Sequence, residues 1–138
     1  MTPQQHILLI EDDEVDVMTV RRSLKELGVP NPLNHVTDGE EGLAFLRDAA
    51  NPRPGLILLD LNMPRMNGIE FLNEIKKDPT YRNIPVVVLT TSKEEVDRIN
   101  SFNNNVAGYM IKPVDYPQFV QTMQIISDYW TKSEFAPL

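Results

Sequence analysis

The sequence predicts an α/β domain, an open parallel sheet with helices on both faces, built from five strand-helix units over 138 residues. Three observations carry that prediction. Short continuous apolar runs recur along the chain, each the length of a strand covered on both sides. Between them lie segments whose apolar residues repeat at intervals of three and four, the helical period. Five alternations are too few for a closed eight-stranded barrel, and right-handed crossovers then distribute the helices over the two faces of the sheet.

The first run, Ile7-Leu8-Leu9-Ile10, is followed by an acidic turn and a stripe of Val17, Val20, Leu24 and Leu27 that Gly28 and Pro30 terminate. A weaker run, Leu33 to Thr37, leads through Asp38-Gly39 into a helical segment, Glu40 to Ala50, that Pro52 and Pro54 break. Leu56-Ile57-Leu58-Leu59 is the clearest strand; it closes on Asp60, and after a loop through Pro64 to Gly68 comes a helix marked by Ile69, Leu72 and Ile75, ending near Asp78-Pro79. Ile84 to Leu89 forms the fourth strand and ends at Thr90. Ser92 then opens a helix as its N-cap, with Glu95 completing a capping box. That helix is poor in apolar residues, with Val96, Ile99 and Phe102 on its inner face and Asn103-Asn104-Asn105 at its end, which makes it the natural moving part. Tyr109-Met110-Ile111 is the fifth strand, and Phe119, Met123, Ile126 and Trp130 form the last helical stripe.

Four groups end or directly follow these runs: Glu11-Asp12-Asp13, Asp60, Thr90-Thr91, and Lys112 before Pro113. In a parallel sheet, groups at the carboxyl ends of strands gather at one edge. The expectation is one site holding several carboxylates, an ammonium and a hydroxyl. Crowded carboxylates repel one another unless a hard cation lies among them, and Mg²⁺ prefers oxygen ligands with several waters retained. Asp60, alone at the end of the most apolar run, is placed as a nucleophile toward a phosphoryl group. Such a transfer needs positioning and charge neutralisation above all. Glu11-Asp12 by itself would read equally well as a helix cap favoured by the helix dipole; Asp60 and Lys112 tip the reading toward a site.

In their order and spacing, Ile-Glu-Asp-Asp at 10–13, Leu-Asp-Leu-Asn-Met-Pro at 59–64, Leu-Thr-Thr at 89–91 and Tyr-Met-Ile-Lys-Pro at 109–113 closely resemble the receiver domain of two-component response regulators, essentially over the full chain. The resemblance implies a flavodoxin-like fold with strand order 2-1-3-4-5. It implies Asp60 as phosphoacceptor, with Mg²⁺ held by Asp12, Asp60 and the backbone carbonyl of Asn62, and by Glu11 through water. Asp13 then caps the first helix. Lys112, on a cis peptide to Pro113, pairs with Asp60 and later with the phosphoryl group, while Thr90 donates its hydroxyl to another phosphoryl oxygen. Thr90 and Tyr109 form the switch, which reshapes the face made by the fourth helix, the fifth strand and the last helix. The Asp78-to-Pro85 segment and the aromatic tail resemble the small receivers that accompany cyanobacterial phytochrome histidine kinases, so a histidine kinase, a phytochrome among them, is the expected partner.

Composition narrows the remaining choices. With 20 acidic against 13 basic residues the net charge is -7, which disfavours nucleic acid and anionic membranes as partners. There is no cysteine for a disulfide or thiolate site, the apolar runs are too short to span a bilayer, and no signal-peptide pattern is present, so a cytoplasmic protein is expected. The chain is expected to be one stand-alone receiver over 1–138, with a short aromatic tail at about 131–138. Tyr129, Trp130 and Phe135 near its end suggest a homodimer through the last helix and its neighbours. His6 and His35 have no acidic or metal-like company in sequence and are assigned no role. Two alternatives stand beside the phosphoacceptor: a phosphorylation-independent pseudo-receiver scaffold, and a Mg²⁺-dependent aspartyl phosphatase. The phosphatase would need a general acid two residues after its nucleophile, where this chain has Asn62. A nucleotide-binding module has little support, because Gly39-Glu40-Glu41-Gly42 matches no phosphate-cradling loop. The protein is therefore expected to act as a signalling phosphoacceptor that assists its own phosphorylation and dephosphorylation.

Overall fold

The apolar runs become the strands of a single parallel sheet in the computed structural model, which describes residues 5–61, 66–90, 93–94, 97, 106–111, 117–122 and 124. The strands are β1 (His6–Ile10), β2 (Leu33–Val36), β3 (Pro54–Asp60), β4 (Val86–Thr90) and β5 (Gly108–Ile111), laid side by side as β2-β1-β3-β4-β5. This is the order expected from the resemblance. The order turns back on itself at β1, where the chain first steps outward to β2 and then returns to β3. Helices α1 (Glu14–Glu26), α2 (Gly39–Arg47) and α3 (Gly68–Lys77) connect the first four strands through β3, and helical backbone recurs at 93–94, 97, 117–122 and 124.

Because side chains alternate along a strand, β1 and β3 feed two separate cores. Ile7 and Leu9 pair in register with Leu56 and Leu58 and pack with Val17, Val20 and Leu24 of α1 and with Phe119. Leu8 and Ile10 pair with Ile57 and Leu59 on the other side and pack with Leu43 of α2 and with Phe71, Leu72 and Ile75 of α3. The eight residues of these two runs are fully buried. That accounts for their unbroken apolar character, since neither alternation position faces water. Each such leucine contributes about 1.5–3 kcal/mol by burial.

The element ends differ from expectation where side chains compete with the backbone. α2 stops at Arg47 instead of reaching Ala50, because Asp48 leaves the helix and its carboxylate accepts from the Ala50 N–H at 2.9 Å. Pro54 opens β3 rather than merely ending the preceding helix, since a strand's first residue needs no donor. β4 starts at Val86, with Ile84 held in a turn by its N–H to the Tyr81 carbonyl at 3.0 Å yet still buried in the core. Gly28, at φ 71°, ends α1 in the left-handed region as expected of a helix-terminating glycine. The expected capping box of Ser92 and Glu95, the Asn103-Asn104-Asn105 terminator and the C-terminal aromatics lie outside the described residues.

Candidate functional site

The site is assembled at the carboxyl edge of the sheet. Ile10 pairs with Leu59, so one step further along the two strands Glu11 stands level with Asp60. Strand alternation puts both on the α1 side, in line with Ile7 and Leu9 on one strand and Leu56 and Leu58 on the other. One carboxylate oxygen from each of Glu11, Asp12 and Asp60 lies within 4.8 Å of the other two; Glu11 and Asp60 are buried and Asp12 is exposed. Like charges at that spacing cost about 3 kcal/mol per pair at an effective dielectric near 20. The donor set is all oxygen, anionic and open to water on the Asp12 side, which suits a hard divalent cation and not a soft one. Glu11, Asp12 and Asp60 are the residues that would hold such an ion, and it would supply charge neutralisation there.

Local bonds explain why the acidic run projects as it does. Asp13 is the N-cap of α1, its side chain accepting from Val15 N–H at 2.8 Å and Asp16 N–H at 3.2 Å, the capping role expected for it. The Asp13 N–H in turn donates to Glu11 Oε1 at 3.1 Å, and the Glu11 N–H donates to the Val36 carbonyl at 3.1 Å. On the other flank, the Gly68 N–H donates to the Leu61 carbonyl at 3.1 Å. A Cβ at Gly68 would run into the Asp60 carbonyl oxygen and lie 2.6 Å from Leu61 Cα, so only glycine lets α3 start this close to the acidic edge. Asn67 and Glu70 close a reciprocal capping box at that helix start.

The predicted residues divide into three groups. Glu11, Asp12 and Asp60 come together as expected. Thr90 is fully buried at the end of β4, beside β3, where Asp60 pairs with Leu89. Tyr109 lies on β5 opposite Val88, while Thr90 pairs with Ile111, so Thr90 and Tyr109 fall on the same face of adjacent strands. Tyr109 is 40% exposed, a strand tyrosine with part of its ring open to solvent. Lys112, Asn62 and the Lys112-Pro113 peptide lie outside the described residues. His35, assigned no role from sequence, places Nε2 at 2.7 Å from the Glu11 carbonyl oxygen. The only signal for it in the sequence is its position near the end of the second strand, and without the β1–β2 register that position says nothing about Glu11.

Comparison with known proteins agrees with this geometry. The family model described as the response regulator receiver domain matches residues 7–124. The chain is 39% identical to the response regulator Rcp1 of Synechocystis sp., over 98% of this chain and 95% of that protein. It superposes with a TM-score of 0.80 on the phosphorylated cyanobacterial phytochrome response regulator RcpA, at 40% identity over 98% of this chain and 99% of the other. The Mn²⁺-bound form of Rcp1 superposes with a TM-score of 0.79 at 38% identity, over 97% and 99% of the two chains. With five parallel strands in the 2-1-3-4-5 order, an acidic cluster at their carboxyl edge and a family match across most of its length, the chain belongs to the response regulator receiver domains, signalling proteins of two-component systems.

Proposed function

We propose that the protein is a single-domain response regulator that takes a phosphoryl group from a histidine kinase onto Asp60 in a Mg²⁺-dependent reaction. The observation that carries this reading is the convergence of Glu11, Asp12 and Asp60 at the ends of the adjacent buried strands β1 and β3. An Asp60 oxygen attacks phosphorus, the bond to the donor imidazole, which carries a proton on its other ring nitrogen, breaks with its electron pair going to nitrogen, and an acyl phosphate and a neutral imidazole result. Water attack on that phosphorus later restores the carboxylate and releases inorganic phosphate. Asp12 and Asp60, with the Asn62 carbonyl, would hold the ion and Glu11 would act through water, and the ion would supply charge neutralisation there. Lys112 and Thr90 donate to the phosphoryl oxygens, in charge-assisted bonds that strengthen as negative charge accumulates there.

Phosphorylation adds roughly one to two negative charges beside Thr90. Thr90 moves toward them, Tyr109 moves into the space it leaves, and the face carrying β5 and the helices flanking it changes shape for a partner or a second copy of the chain. The modification biases an equilibrium between two conformations and does not create the second one. The kinase is of the phytochrome type, a partner supported by the descriptions of RcpA and its relatives, and the setting is the cytoplasm, where such kinases phosphorylate their regulators. Among the described residues, no helix is long and apolar enough to cross a membrane.

The test is incubation with Mg²⁺ and acetyl phosphate, followed by transfer from a panel of histidine kinases that includes phytochromes. Stoichiometric, hydroxylamine-labile label that Asp60→Asn abolishes is the expected result. Absence of label would identify a phosphorylation-independent scaffold, and many turnovers per chain a phosphatase. Faster transfer from an unrelated kinase than from any phytochrome would remove the partner assignment.

A further inference from the structure

We infer that His35 is a positioning residue for the divalent-cation site, holding the Glu11–Asp12 peptide in the orientation from which both carboxylates reach the ion. The inference rests on the reading of Glu11, Asp12 and Asp60 as that site. His35 pairs with Leu9 on β1, so its ring lies on the α1 side of the sheet, the side to which Glu11 also belongs. Its Nε2 is 2.7 Å from the Glu11 carbonyl oxygen. A carbonyl has no hydrogen to give, so the ring nitrogen carries it and the imidazole is the donor.

The bond lies where the β1–β2 ladder ends. In a parallel pair each residue of one strand donates to one neighbour and accepts from the residue two places further on. Glu11 N–H donates to the Val36 carbonyl at 3.1 Å, so the backbone donor for the Glu11 carbonyl would have to come from residue 38. By then the chain has left β2. The Thr37 N–H is taken by Glu41 Oε1 at 3.1 Å, and at Asp38 the chain turns into α2, the Asp38 side chain accepting from the Glu41 N–H at 2.9 Å as the N-cap. The His35 side chain adds a donor to the Glu11 carbonyl at the place where the strand pairing ends.

The consequence reaches the site through one peptide plane. The Glu11 carbonyl belongs to the amide that joins Glu11 to Asp12, so the His35 bond restrains that plane directly, while the Glu11 N–H bond to Val36 anchors the plane before it. Asp13 N–H on Glu11 Oε1 and the Asp13 cap on α1 fix the next residue. Carboxylates within 4.8 Å of one another push apart, and without the imidazole the cheapest relief is rotation of the Glu11–Asp12 amide, which swings Asp12 away from Asp60.

The experiment measures Mn²⁺ affinity by electron paramagnetic resonance on the full chain, with thermal midpoints of the metal-free proteins measured in parallel. His35→Phe keeps a planar ring and removes the donor; His35→Gln places an amide N–H close to where Nε2 lies. Loss of an outer bond of this kind costs a metal site about tenfold in affinity, so the expected result is a Kd raised about tenfold in His35→Phe and restored to within about twofold in His35→Gln. Native affinity in His35→Phe overturns the inference. So does equal weakening in both variants, because packing and not the hydrogen bond would then be responsible. If His35→Phe does not fold, His35→Leu takes its place with the same criteria. Native protein that binds no Mn²⁺, or binds it unchanged after Asp12→Asn, overturns the reading of the site itself; native protein that binds Mn²⁺ through Asp12 while His35→Phe binds equally well overturns only the role of His35.

Discussion

The two ends of the sheet use their polar side chains in opposite ways. At the end where strands begin, they close the structure on itself: Arg53 donates to the Thr80 carbonyl, Tyr81 Oη to the Leu46 carbonyl at 3.1 Å, Lys76 Nζ to the Arg82 carbonyl at 3.2 Å and Asn31 to the Gln5 carbonyl at 2.8 Å. Each bond satisfies a backbone acceptor that a loop would otherwise leave to water. At the end where strands finish, three carboxylates crowd within 4.8 Å and two of them are buried. Like charges at that spacing repel one another unless a cation lies among them. Removing a charge at the acidic pole and removing a hydrogen bond at the other are therefore expected to move stability in opposite directions.

Asp60→Asn is the most severe break in the comparison. Phosphoryl labelling is expected to fall by at least ~100-fold with the nucleophile gone. Yet the metal-free variant is expected to melt a few degrees higher, by about 1 kcal/mol, because one of three mutually repelling charges is removed. A lower melting temperature would show that the cluster is not a source of strain. Gly68→Ala acts at the same pole through sterics alone: the added methyl meets the Asp60 carbonyl and Leu61 backbone, and a loss of about 3 kcal/mol in urea unfolding is expected.

Mg²⁺ should relieve the acidic pole without touching the other. At about 100 times its Kd the ion is expected to stabilise the chain by about 2.7 kcal/mol, seen as a saturable rise in melting temperature that disappears in Asp12→Asn and in EDTA. Tyr81→Phe tests the opposite pole, where loss of the bond to the Leu46 carbonyl is expected to cost about 1 kcal/mol with the rate of labelling unchanged. The smallest effect belongs to Lys76, whose half-buried ammonium is held below its ordinary value of 10.5 by burial. The folded chain releases that proton at lower pH than the unfolded chain does, so this group's contribution to stability rises with pH through the window below 10.5. Urea midpoints at two pH values within that window should rise more in the native protein than in Lys76→Met.

How much of this was legible beforehand depended on how local the cause was. The buried runs of β1 and β3, the stripe of α1 and the capping role of Asp13 are written in neighbouring residues, because hydrophobic period and side-chain capping act over a few positions. The candidate carboxylates were legible too, since a charged residue directly after an unbroken apolar run stands out against it. The early end of α2 at Arg47 was less so, because the Asp48 side chain outcompetes a helical pattern that composition alone would extend. Other features have no sequence signal at all. That Gly68 must be glycine follows from its approach to the Asp60 carbonyl, and that His35 meets Glu11 follows from the parallel register of β1 with β2. Sequence by itself determined which segments pair their apolar faces and which residues bear charge at their ends. Tertiary structure alone decided which ring meets the Glu11 carbonyl and how closely a helix start approaches the acidic edge, because contacts between distant parts of a chain depend on register and packing, which are not encoded within reach of any one segment.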